Sequence, residues 1–235
     1  MNRTAFLPLL AVAAALPALS QTKALQQGPN RMELTLERKT SAGWKVVDPG
    51  FIFNQGDYVR FRFKTNFNGY LYVMNQGTAG TYTKLFPRED TGLANKVEAN
   101  KEYIVPATAG AFRIDGPAGH DIIYWMMTPV EMGGGERNTS YTPLPPPPSP
   151  TSAKAMASLT PRCDDTILRA RGECVDSSAG PQAVADASQL PSNIKTMAQN
   201  NSQELIFRKN QRGSVVSSPV PLNGPVVYEF RLAHK

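Results

Sequence analysis

The residues with the most chemical potential are His120 and Asp121, adjacent in sequence just after a glycine-rich turn. An imidazole beside a carboxylate has the composition of a general base. A nucleophile would have to complete it, and no GxSxG motif occurs. A loop-capping or solvent-exposed role fits the pair better. Glu89 and Asp90 are two neighbouring carboxylates, but adjacent residues on a strand or loop point apart, a poor basis for glycoside hydrolysis. Asp164 and Asp165 have the ligand type for calcium without the EF-hand spacing. No glycine stretch carries the GxxxxGK pattern that cradles phosphate. The expectation is therefore no catalytic residue, no cofactor and no metal.

Cys163 and Cys174 are the two cysteines of the chain. Their spacing is not CxxC, and His120 and His234 are too distant in sequence to complete an evident metal set. In an exported chain an even count reads as a disulfide. That bond is expected to pin a local loop outside the strand-rich core. The export expectation comes from Met1 to Ser20, with a positive charge at Arg3 followed by the apolar run Phe6 to Leu19. The run is interrupted by Pro8 and Pro17, and its apolar core is short for a membrane span. Ala18 and Ser20 fit the small-x-small cleavage rule, placing a mature N-terminus at Gln21. No cysteine follows to carry a lipid. The expected location is periplasmic or extracellular.

Two surface features could bind rather than react. Arg60, Arg62 and Lys64 alternate along one strand and make a basic stripe. Tyr70 and Tyr72 share a strand face, and Tyr82 lies across the next hairpin, an arrangement that could stack on sugar rings. Edge protection by charge and cross-strand aromatic packing account for the same residues. The formal net charge of +6 permits attraction to anionic glycans or membrane surfaces. It is spread along the chain without a recognition motif, so nucleic acid is not an expected partner.

The elements that would position these residues are short strands cut by turns. Met32, Leu34 and Leu36 alternate with polar residues in Arg31–Lys39, and Trp44–Val47 follows a turn. In Tyr58–Thr65, Val59, Phe61 and Phe63 face one way and the basic stripe the other. Tyr70–Asn75, Tyr82–Phe86, Tyr103–Val105 and Ala111–Ile114 are further strands, with a polar loop over 88–100. Ile122–Thr128 is apolar on both faces, as a central strand should be. Such spacing predicts an all-β fold, a β-sandwich of short, mainly antiparallel strands. No internal repeat is present.

After residue 132 the composition changes. Gly133-Gly134-Gly135 and the run Pro143 to Pro150 read as a flexible start and a stiff spacer. One short helix is predicted over Asp165–Arg171. Strand character returns at Glu204–Arg208 and Val226–Leu232. The predicted organisation is a signal peptide at 1–20 and a sandwich at 31–132. An irregular, proline-rich and partly disordered insertion follows at 133–202, and strands at 203–235 return to the sandwich and cover an edge.

Five segments occur in a telling order: Gly56-Asp57; Gly69-Tyr70-Leu71-Tyr72-Val73; Leu85-Phe86-Pro87; Ile104-Val105-Pro106; and Gly116-Pro117-Ala118-Gly119 before the last apolar strand. Over residues 51–128 this order resembles the bacterial domain-of-unknown-function family 4384. The resemblance implies a β-sandwich module of exported or envelope proteins, sometimes carried beside enzymatic domains. It brings no catalytic residues. The functional expectation is a non-catalytic exported module that binds or scaffolds an envelope component. Glycan or anionic-polymer binding is the alternative, and a hydrolase using His120 the second alternative.

Overall fold

The computed structural model describes residues 30–129, 131, 159–184, 205–219 and 224–235. Residues 1–20, expected to be a signal peptide, and the Gly/Pro run 133–150 lie outside the described residues.

Among the described residues the chain is all-β, with two antiparallel sheets and one small helix. The first sheet contains β1 (Asn30–Thr40), β2 (Gly43–Val47), β3 (Tyr58–Thr65), β7 (Glu102–Val105), β8 (Phe112–Arg113), β11 (Ile206–Asn210) and β12 (Gly213–Ser218). Its order is β11-β12-β1-β3-β7, with β2 extending the line of β12 along β1 and β8 extending that of β7 along β3. The second sheet contains β4 (Gly69–Gln76), β5 (Tyr82–Phe86), β6 (Lys96–Val97), β9 (Gly119–Thr128), β10 (Gly180–Gln182) and β13 (Val226–His234). Its order is β10-β13-β9-β4-β5, with β6 beside β4.

Period-two alternation decides which side chains meet between the sheets. Leu34 on β1 is opposite Phe63 on β3, and Leu36 opposite Phe61. All four are buried. From the second sheet Leu71, Val73, Ile123, Trp125, Tyr228, Phe230 and Leu232 face them in one cluster. Trp125 stacks on Phe63 at 5.4 Å and meets Phe61 edge-on at 5.2 Å, so this indole joins the sheets. Full burial of each such side chain is worth about 1.5–3 kcal/mol.

The C-terminal strands do return, but to both sheets. The β11–β12 hairpin extends the first sheet beyond β1. β13 lies inside the second, paired with β9 on one side and β10 on the other. The expectation that this strand covers an edge is corrected: β13 is itself covered, by β10.

The edge is supplied by residues 159–184, which were expected to be irregular. They hold α1 (Asp165–Arg171), which carries its own start and stop signals. Asp164 Oδ1 accepts the amides of Thr166 and Ile167, and Gly172 closes the helix in the left-handed conformation at φ 67°. The segment then runs against the sandwich. The amide of Ile52 donates to Cys174 O at 3.1 Å, and that of Asp176 to Gly50 O at 2.7 Å. A Cβ at Gly50 would collide with the Asp176 carbonyl oxygen, so glycine permits this approach. The Cys163–Cys174 disulfide is formed, and both cysteines pack on the buried Ile52, Ala179 and Ala233. It therefore pins a segment of the sandwich edge, not a detached loop.

Candidate functional site

His120 and Asp121 do not act together. Being adjacent on β9, they point to opposite faces, and each takes a partner remote in sequence. His120 points outward, is buried, and places Nε2 3.2 Å from Asp176 Oδ2. Burial alone would raise the Asp176 carboxyl. Hydrogen bonds from Ser178 Oγ, the amides of Ser178 and Arg162, and His120 outweigh it and hold the group below its ordinary value. Ser178, Asp176 and His120 have the composition of a hydrolytic triad with the wrong connectivity. The carboxylate sits in the middle, and the hydroxyl donates to it at 2.6 Å. A nucleophile would need the imidazole as its base. This set joins β9 to the disulfide segment.

Asp121 points inward. Its Oδ1 accepts the Thr78 amide at 3.0 Å and stands 3.4 Å from His234 Nε2. His234 is fully buried, and neither ring nitrogen has a hydrogen bond among the described residues.

The other carboxylates also have structural employment. Asp90 is held by both Nε and Nη2 of Arg88 on an exposed turn, away from any partner acid. Asp164 caps α1 and Asp165 lies in its first turn, where negative charge suits the helix dipole. No group of three or more His, Cys, Asp or Glu that could hold a metal occurs among the described residues.

The basic stripe and the tyrosines are not brought together. Arg60, Arg62 and Lys64 lie on the outer face of the first sheet. Arg60 bonds Glu37 at 2.6 Å and stacks over Trp44 at 4.3 Å. Arg62 bonds Glu37 and Glu102. Lys64 stands in register between Glu33 on β1 and Glu102 on β7. Acidic neighbours thus offset the stripe. Tyr70, Tyr72 and Tyr82 lie on the outer face of the second sheet, so the core separates the two groups. Tyr82 stacks against Tyr124, and both hydroxyls donate to Gln76 Oε1 at 2.9 and 3.1 Å. Burial raises both phenols above their ordinary value. Sequence reasoning missed Tyr124, which lies in a run read as a buried central strand, and Gln76, which lies just past the strand expected over Tyr70–Asn75.

A cleft of about 640 Å³ opens where α1 meets the β11–β12 turn. Arg171, Lys209 and Arg212 line it with Asp48, Ser177 and Gln211. Arg171 approaches Asp48 at 3.3 Å. Lys209 Nζ donates to the carbonyls of Ser177 and Ala179, each at 2.8 Å, and burial lowers its pKa. Arg212 has no ion pair among the described residues. The cleft therefore concentrates three cations against one acid. Its cations come from positions forty residues apart in sequence, so no local motif announces it.

Residues 52–131 match the family described as Domain of unknown function (DUF4384). That stretch runs from the bridge before β3 to just beyond β9, and α1, the disulfide and β10–β13 lie outside it. No curated protein and no solved structure matches the chain.

Proposed function

We propose that this chain is a non-catalytic, exported β-sandwich module that binds an anionic polysaccharide of the cell envelope, one charged stretch lying in the cleft between α1 and the β11–β12 turn. The observation that carries this reading is the convergence of Arg171, Lys209 and Arg212 in one concave surface. A concavity takes a chain segment, whereas a membrane surface asks for a flat or convex basic face. Ser177 and Gln211 add polar groups suited to sugar hydroxyls. The buried state of His120 and its bond to Asp176 support binding over hydrolysis, because a general base must reach its substrate.

Titration of the mature chain with polygalacturonate, with dextran as the neutral control, tests the proposal. Saturable binding of polygalacturonate alone is expected, weakening with salt as exposed charges are screened. Arg212→Glu should weaken it on the order of tenfold, equivalent to about 1.4 kcal/mol. Equal binding of dextran, or an Arg212→Glu variant that binds like wild type, overturns the reading. Export is tested by the intact mass of protein secreted from a bacterial host: cleavage after Ser20 is expected, and a mass retaining Met1 to Ser20 refutes it.

A further inference from the structure

At the opposite edge, near β5 and β8, the sheets leave a pocket of about 250 Å³ between them. Its walls are Phe61 and Phe112 from the first sheet, and Leu85, Ile123 and Leu232 from the second. An engineered apolar cavity of about 150 Å³ takes up benzene. By that scale this pocket accommodates one aromatic ring with a short chain.

The polar groups at its inner end are unusual for a sandwich. Inward-facing positions run Leu71, Val73, Asn75 on β4, then Trp125, Ile123, Asp121 on β9, then Phe230, Leu232, His234 on β13. Each strand turns from apolar to polar near the same end of the sheet. Register places Asn75 opposite Ile123, and Leu232 opposite Asp121, so the three polar positions are staggered from strand to strand. Asn75 and Asp121 both line the pocket. Asn75 Oδ1 is buried without a hydrogen-bond partner. Asp121 Oδ1 holds Thr78, while no described residue bonds to Oδ2. Packing alone would favour apolar residues here, since buried acceptors left unbonded are costly.

The charges at the pocket select the ligand. Arg88 and Arg113 line it, but each has an acid of its own, Asp90 and Asp115 respectively. The acceptors left over are Asn75 Oδ1 and Asp121 Oδ2, and they want donors. We propose that this pocket binds a small aromatic amine, its ammonium donating to Asp121 Oδ2 and Asn75 Oδ1 and its ring lying between Phe61, Phe112 and Leu85. The site is independent of the polysaccharide cleft, which lies at the other edge of both sheets.

The test is calorimetric titration of the full chain with phenethylamine, 2-phenylethanol and 3-phenylpropionate. One-site binding of phenethylamine is expected. The neutral alcohol should bind on the order of tenfold more weakly, having lost the charge-assisted bond, and the carboxylate should not bind. Asp121→Asn should erase the preference for amine over alcohol. Because that change also touches the Thr78 turn, Ala111→Trp provides a second route. It fills the mouth from a half-buried position, and should abolish phenethylamine binding while leaving polygalacturonate binding unchanged. No saturable binding at millimolar phenethylamine, carboxylate binding as tight as amine, or an Ala111→Trp variant that still binds overturns the proposal.

Discussion

At the edge between β10 and β11 the two sheets are joined by a cross-linked segment. At the edge between β5 and β8 they are joined by hydrogen bonds between loops, with no covalent link. On the first side the disulfide closes residues 163–174 on themselves, while Lys209 with its two carbonyl acceptors ties the segment to β11 of the first sheet and the His120–Asp176 pair ties it to β9 of the second. On the second, Thr91 Oγ donates to Leu85 O at 2.6 Å, and the Ala107 amide donates to Thr91 O at 2.7 Å. One threonine thus ties the loop after β5 to the loop after β7. The firmly closed edge lies outside the stretch that matches the family, and the loosely closed edge lies within it. The lesson is that in this chain the segment poorest in strand signals supplies the firmest closure, while the segment richest in them leaves a space between the sheets.

The most severe way to break the closed edge is to remove β13. Truncation after Gly224 strips the partner of both β9 and β10 and deletes Tyr228, Phe230 and Leu232 from the core. Losing three large buried side chains at about 1.5–3 kcal/mol each consumes most of a typical domain stability. The cooperative transition in circular dichroism on heating should disappear. Retention of the full-length melting curve would remove β13 from the core. A double Cys163→Ser, Cys174→Ser variant asks for less. It should keep the main transition and lose about 2–3 kcal/mol by denaturant titration, the loop-closure contribution of a bond of this span.

Acid offers a reversible version. The Asp176 carboxyl titrates below its unfolded value because its hydrogen bonds outweigh burial. A depressed carboxyl contributes stability that is full above the ordinary value of about 3.9 and is lost as pH falls through the folded value. Wild type should therefore exceed Asp176→Asn by about 1–3 kcal/mol at neutral pH. The gap should close in strong acid, as read by thermal unfolding at a series of pH values. A constant gap would show that the carboxylate charge contributes nothing. The smallest effect belongs to the loose edge. Thr91→Val removes one side-chain hydrogen bond and should cost about 1 kcal/mol in the same assay. A loss as large as that of the cysteine pair would make the two edges equivalent.

Much of the fold was legible because alternation is a local signal. β3 and β5 begin and end where their residue patterns do, and α1 carries its cap, its acidic first turn and its glycine stop within a few residues. Three strands were not legible, and the first is β6, a two-residue strand inside the stretch 88–100 expected to be a polar loop. β12 reads Gly-Ser-Val-Val-Ser-Ser, and Ser214 and Ser218 are buried because the chain pairs on both sides, a circumstance no short window contains. β10 consists of Gly180, Pro181 and Gln182, residues that signal turns. Proline is accommodated because β10 is an edge strand with a free side. The sites were less legible still. His120 and Asp121 drew notice by adjacency, yet their partners Asp176 and His234 are set by topology. The basic stripe was visible in β3, but the glutamates that offset it come from β1 and β7. The cationic cleft and the inter-sheet pocket both draw on residues from distant strands.

The pairing of β12 with the start of β1, and of β13 with β9, also governs how the molecule can be made. Asn30 waits for Ser218, and Met127 waits for Val226. The first sheet cannot be completed until β12 has emerged from the ribosome, nor the second until β13 has, so native pairing is dominated by contacts of long sequence separation and is expected to be slow. The same topology exposes β1 and β9 in the nascent protein, which makes the interval before the last strands arrive the period when a holding chaperone matters most.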